Sequence, residues 1–128
     1  MQFFGEDAAE LAVAAAVLVK RFHEALGDDP DEIVEVLALY LDDMTRQLQT
    51  LNSALSADDG ELIKRIAHAL AGSSANCGMV AIVEQLRRLE RAAGEGDLAG
   101  MSALKRRVDS EFARIKDFAQ VNYSLLPV

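Results

Sequence analysis

A long segment with a regular helical pattern of apolar residues limits the fold more than any other feature. Between about Asp31 and Leu55, an apolar side chain returns every three or four residues, at Ile33, Leu37, Leu41, Met44, Leu48, Leu51 and Leu55. This spacing places the whole set on one face of an α-helix. Such a face must be covered by other elements of the fold. No segment of the chain shows the period of two that a strand requires.

Four further segments have helical periodicity, at about Glu6–Leu26, Asp58–Asn76, Met79–Ala93 and from Leu98 onward. The breaks between the segments are rich in Gly, Pro and Asp, residues that end one helix or begin the next. In the last segment the residues expected to face inward are Leu98, Met101, Leu104, Val108, Phe112, Ile115 and Phe118. We expect an all-α fold, an up-down-up-down antiparallel four-helix bundle with the N-terminal helix capping one end.

The length of 128 residues fits a single domain with its own core. We expect the core of this domain to cover about 30–121, after an N-terminal helix and turn over 1–29. The stretch 122–128 has no periodicity and is expected to fray. Met1 and this tail favour a free-standing protein. A complete bundle in one chain leaves no apolar face uncovered, so we expect a monomer.

The composition excludes several classes of function. A net charge of −8 and a pI near 4.7 argue against nucleic acid and anionic membranes as partners. The first residues lack the basic region of a signal peptide, and the alanine-rich run 8–19 contains Glu10 and is too short to span a bilayer. We therefore expect a cytoplasmic protein. Cys77 is the single cysteine, and with the distant His23 and His68 it forms no pattern of metal ligands.

His68 lies opposite the residues that the third helical segment is expected to bury, among them Ile66 and Leu70. At about 100° per residue, His68 is about 200° from Ile66, so its imidazole should point into solvent. Lys64 and Arg65 are expected one turn before it on the exposed face, and Ala71 and Gly72 one turn after it. An exposed histidine of this kind is commonly only a surface residue.

Gly72 is unusual in this position, because glycine inside a helix costs about 1 kcal/mol relative to alanine. Close approach by another backbone or domain is one reason for such a residue. Chance is the other, and periodicity does not distinguish the two.

The stretch Ile66–Gly78, together with Leu89 and Glu90 in the next helix, resembles the signature of histidine-containing phosphotransfer (HPt) domains. That signature reads AH-x-L-K-G-S-(small)-x-x-x-G, followed later by LE. The flanking helices fit from about residue 30 to residue 121. Members of the family pass phosphoryl groups between response-regulator aspartates through one histidine on a four-helix bundle. This chain departs from the pattern at Ala71, where the family usually has lysine.

The resemblance implies that His68 is the phosphoacceptor. Glu90 is then the candidate acceptor for the proton on the other ring nitrogen, and a solvated surface acid is the alternative interpretation. Lys64 and Arg65 would supply the positive charge that the missing lysine usually gives. Ser73 matches the pattern, although its hydroxyl could simply bond to an upstream carbonyl.

The small residues around His68 are expected to form a flat surface for a docking receiver domain; they are Ala69, Ala71, Gly72 and Ala75. Arginines at 87, 88 and 91 form the polar face of the fourth helix and could help to hold an acidic receiver. The second histidine, His23, has no partner in reach by spacing and is interpreted as a surface residue.

The implied function is that of a phosphorelay intermediate, which accepts a phosphoryl group from a receiver aspartate and passes it to another response regulator. Its partners would be receiver domains and a hybrid histidine kinase. No cofactor or metal is expected on this chain, because the receiver would supply Mg²⁺ together with the aspartate. The sequence has no Gly-rich phosphate loop, so we expect a phosphocarrier without kinase activity.

Two other functions stay open at this stage. A receiver-binding adaptor that accepts no phosphate is supported by Ala71 alone. A dimerising His-bearing hairpin of a sensor kinase is the second. Such hairpins carry an acidic residue, Thr or Asn directly after the histidine, whereas here His68 is followed by Ala69, Leu70, Ala71 and Gly72.

Overall fold

The computed structural model describes residues 19–125, and all regular secondary structure in that range is α-helical. Helix α1 is described over residues 19–26. Four long helices follow, and they are α2 (Pro30–Ser56), α3 (Gly60–Asn76), α4 (Val80–Glu95) and α5 (Leu98–Tyr123). The predicted all-α class is confirmed. The earlier part of the first predicted helix and residues 126–128 lie outside the described residues.

Aspartate side chains fix where three of the long helices begin. Asp29 accepts a hydrogen bond from the backbone N–H of Asp31, with Pro30 in the first turn of α2. Asp59 accepts from the N–H of Leu62 at 3.2 Å, and Asp97 accepts from that of Gly100 at 3.0 Å. These N-caps satisfy backbone donors that have no partner inside the helix. The cap at Asp59 sets the start of α3, and with it the helical position of His68.

One continuous core lies between the long helices, because α3 packs against both α2 and α4, and α5 packs against α4 and α2. Every long helix contributes fully buried side chains, such as Met44, Ile63, Leu86 and Val108. The prediction for α5 is wrong at Leu98, whose side chain is 48% exposed. Leu98 is the first residue of α5 and lies at the end of that helix, where the helices of residues 19–125 leave it about half exposed.

The described part of α1 packs against the C-terminal end of α5. The Phe22 ring stacks on Phe118 with 5.3 Å between the ring centroids, and Tyr123 meets Phe22 edge-on at 6.1 Å. Gly78, in the α3–α4 turn, has a φ of +74°, and a Cβ there would lie 3.2 Å from the carbonyl oxygen of Arg21. Helix α1 therefore contacts both elements that form this end of the bundle.

The prediction that the chain frays from residue 122 is wrong for residues 122–125. Helix α5 continues to Tyr123, and Ser124 adopts a left-handed conformation that ends it. The N–H of Leu125 then donates to the carbonyl oxygen of Ala119 at 3.2 Å. The side chain of Leu125 packs on the core. Two apolar residues near the end, Tyr123 and Leu125, thus hold the segment in place.

None of the helices within residues 19–125 has the length and apolar character that crossing a membrane would need.

Candidate functional site

His68 and Glu90 meet across the seam between α3 and α4. His68 lies near the middle of α3, and its side chain is 71% exposed. Its Nδ1 atom is 3.0 Å from Oε2 of Glu90, whose side chain is only 24% exposed. Leu89 and Ile66, the neighbours that anchor the two backbones here, are buried in the core. The contact that the sequence predicts between His68 and Glu90 is present.

This contact gives the two ring nitrogens different roles. A carboxylate only accepts hydrogen bonds, so Glu90 favours the tautomer that carries its proton on Nδ1. The Nε2 atom of His68 then keeps its lone pair. Because the side chain is largely exposed, a reactant in solution or on a partner surface can reach that lone pair. The pair therefore presents an oriented nucleophile to the solvent.

A groove beside this pair is lined by three cationic and two acidic side chains and one glycine. Its lining consists of Lys64 from α3 and of Arg87, Glu90, Arg91, Gly94 and Glu95 from α4. We call the three basic residues Lys64, Arg87 and Arg91 the cationic groove. Arg65, which the sequence analysis paired with Lys64, is exposed on α3 and does not line this groove. The sequence analysis treated Arg87 and Arg91 as a polar face that could help to hold an acidic receiver, and did not place them beside Lys64. Their positions three residues before Glu90 and one after it were the available signal.

Ala71 lies in the core, so its placement on the exposed docking surface is wrong. Its relative exposure is 0%, whereas Ala69, Gly72 and Ala75 are exposed as expected. Ala71 comes directly after the buried Leu70 and is rotated from it by about 100° around the helix axis. At this position the neighbouring helices cover its methyl group. Its methyl group is therefore not on the protein surface, and the candidate docking surface consists of Ala69, Gly72 and Ala75.

Ser73 and Ser74, which lie in sequence between Gly72 and Ala75 of the docking surface, have structural partners. Ser73 Oγ donates to the carbonyl of Ala69 at 3.3 Å, which is the alternative that the sequence analysis allowed for it. Ser74 is buried, and its hydroxyl lies 2.8 Å from the Tyr40 hydroxyl of α2. Burial raises the pKa of Tyr40 far above its usual range, so Tyr40 stays neutral. This bond fixes α3 against α2, and with it the direction in which His68 points.

The remaining histidine and the cysteine lie away from His68 in the sequence and do not join the site. His23 does have a partner, because its Nδ1 lies 2.9 Å from Oδ1 of Asp28 in the turn before α2. The earlier interpretation without a partner overlooked this turn. Cys77 is buried, and burial raises the pKa of its thiol. Within residues 19–125 no three His, Cys, Asp or Glu side chains are grouped so that they could hold a metal ion.

Comparison with known proteins points to one family. The family model described as Hpt domain matches residues 35–118, a range that contains all of α3 and α4. The crystal structure of histidine-containing phosphotransfer protein B (HptB) from Pseudomonas aeruginosa PAO1 is similar to this chain, with a TM-score of 0.69 and 28% sequence identity. The similarity covers 93% of this chain and 95% of that chain. No curated protein matches the sequence.

Proposed function

Because the chain belongs to the Hpt domain family, we propose that it is a phosphorelay intermediate that carries a phosphoryl group on Nε2 of His68. It accepts the group from the aspartate of one receiver domain and passes it to the aspartate of another response regulator. The observation that carries this proposal is the contact of 3.0 Å between His68 Nδ1 and Glu90, which leaves Nε2 free on an exposed ring.

The transfer step needs no proton to move. The Nε2 lone pair attacks the phosphorus of the aspartyl phosphate, the Nε2–P bond forms, and the P–O bond to the aspartate breaks. The aspartate leaves as a carboxylate with the electron pair of that bond. His68 keeps its proton on Nδ1, so the phosphorylated ring becomes positively charged. Glu90 stabilises this charge from 3.0 Å away, and the reverse reaction regenerates the neutral ring.

The charge distribution supports a receiver domain as the partner. Residues 60–128 contain ten Lys or Arg and eight Asp or Glu, whereas residues 1–59 contain three and thirteen. The acidic protein thus places His68 in its least acidic part. A receiver domain brings a pocket of carboxylates, the phosphorylated aspartate and Mg²⁺, and such a pocket fits a surface of this sign. A hybrid histidine kinase would supply the phosphoryl group upstream.

We further propose that α2–α5 alternate in direction as an up-down-up-down bundle, with α1 across one end, and that one chain is sufficient. The short connections between successive helices support the alternation. The long helices already cover one another's apolar faces within the chain, which a dimerising kinase hairpin would not do. A monomer in the cytoplasm is therefore the expected working form.

Incubation with a phosphorylated receiver domain tests the proposal. The wild-type protein should gain one phosphoryl group whose bond is labile in acid and stable in base, as expected for phosphohistidine. Addition of a second, unphosphorylated receiver should then remove it. Receiver binding without any label would favour the adaptor function instead. The absence of both label and binding across a panel of receivers would exclude a phosphorelay role.

The Glu90→Ala variant should transfer the phosphoryl group about tenfold more slowly, because a hydrogen bond to a charged group is lost and the ring is no longer oriented. Initial rates of label transfer from a receiver measure this effect. Glu84→Ala is the control, since Glu84 lies on the same helix and pairs with Arg88 at 2.9 Å. Equal rates for Glu90→Ala and the control would mean that Glu90 is only a surface acid.

A further inference from the structure

The lining of the cationic groove includes Glu90, the residue whose carboxylate contacts the ring that the proposed reaction would phosphorylate. Lys64 lies one helical turn before His68 on α3, and Arg87 and Arg91 lie one turn apart on α4. Glu90, which contacts His68, lies between the two arginines in sequence and lines the same groove. Positive charges from two helices therefore line the same groove as the carboxylate that holds the imidazole.

The three basic side chains do not pair with acidic side chains of the described residues. Within residues 19–125, Lys64, Arg87 and Arg91 make neither an ion pair nor a hydrogen bond through their side chains. Some cations elsewhere in residues 19–125, such as Arg46 and Arg88, differ in this respect. Arg88 pairs with Glu84 at 2.9 Å, and Arg46 pairs with Asp42 at 3.3 Å. The donors of the cationic groove are thus available to an anion.

Phosphorylation of His68 would create such an anion at the groove. The phosphoryl group carries up to two negative charges, and Glu90 and Glu95 already place two carboxylates there. Without cations, the new group would face only acids. Lysine and arginine donors bind phosphate oxygens through charge-assisted hydrogen bonds, and arginine can bind two oxygens at once.

We infer that Lys64, Arg87 and Arg91 bind the phosphoryl group of phosphorylated His68, and that they replace the lysine that is absent at position 71. The inference rests on the proposed function. It explains how the chain carries Ala71 in the core and still stabilises a phosphorylated histidine. The stabilising charge comes from the flank of α4 and from the turn before His68, instead of from the turn after it.

The double variant Lys64→Gln/Arg87→Gln tests the inference, with Arg46→Gln/Arg88→Gln as a control of equal charge change outside the groove. Each protein is phosphorylated with phosphoramidate, a small donor that needs no docking surface. The second ionisation of the phosphoryl group is then followed by ³¹P NMR as a function of pH. Nearby cations favour the dianion, so their loss should raise the midpoint by roughly half a pH unit for each cation removed. The control should titrate like the wild type.

Transfer from a phosphorylated receiver gives a second readout, and the double variant should be slower by roughly tenfold. A midpoint equal to that of the control would overturn the inference, even if receiver transfer slows, because the cations would then act only in docking. Absence of phosphorylation in the wild type would instead count against the proposed function. The two failures are therefore distinguishable.

Discussion

The His68→Gln variant is expected to take up no phosphoryl label from any receiver domain, whereas His23→Gln is labelled like the wild type. Glutamine has no ring nitrogen with a free lone pair, so no Nε2–P bond can form at position 68. The fold should be retained, since the His68 side chain is 71% exposed and surface substitutions change stability by about 0.5 kcal/mol or less.

His23 is a demanding control because it shares the local chemistry of His68. Both Nδ1 atoms contact a carboxylate, at 2.9 Å from Asp28 and at 3.0 Å from Glu90. An imidazole paired with an acid is therefore not what distinguishes the two. His23 lies on α1, outside the segment that matches the family. Label in His68→Gln, or its loss in His23→Gln, would show that the phosphoacceptor has been assigned wrongly.

The parts of the fold that depend on local sequence could be predicted closely. The apolar spacing and the caps placed the second helix at about 31–55, and α2 spans Pro30–Ser56. The capping Asp59 and the turn at Gly78 likewise bound α3. These signals act within one or two turns of the chain, so the residues that carry them are neighbours in sequence.

The errors occur where packing between distant elements decides the outcome. Ala71 lies at the border between the buried and exposed faces of α3, and the neighbouring helices determine which side it joins. The groove that brings Arg87 to Lys64 exists only when α3 and α4 are packed together. The last turn of α5 is held by Tyr123 against Phe22, about a hundred residues earlier in the sequence. Periodicity in one helix contains none of this information.

Substitution of Gly72 by glutamine is expected to slow transfer from a receiver by about 10²-fold, the size of effect that a small misplacement of reacting groups produces. Gly72 is exposed one turn after His68. Beyond its chain neighbours and the backbone of its own helix, a Cβ at this position would meet no atom within 4 Å, so nothing in residues 19–125 requires glycine there. The residue nevertheless weakens α3 by roughly 1 kcal/mol relative to alanine. Close approach of a receiver domain, as proposed, would account for a glycine here despite this loss of stability.

Two further measurements separate the effect on docking from an effect on the fold or on the nucleophile. Gly72→Ala should unfold at a higher denaturant concentration, because its free energy of unfolding should rise by about 0.5–1 kcal/mol. Its rate of transfer from a receiver should be nearly that of the wild type. Gly72→Gln should still be labelled by phosphoramidate at the wild-type rate, because this donor is too small to touch the new side chain. If Gly72→Gln also transfers normally from a receiver, the partner does not approach across Gly72. Its docking surface must then lie on the other side of His68, toward Lys64 and the cationic groove.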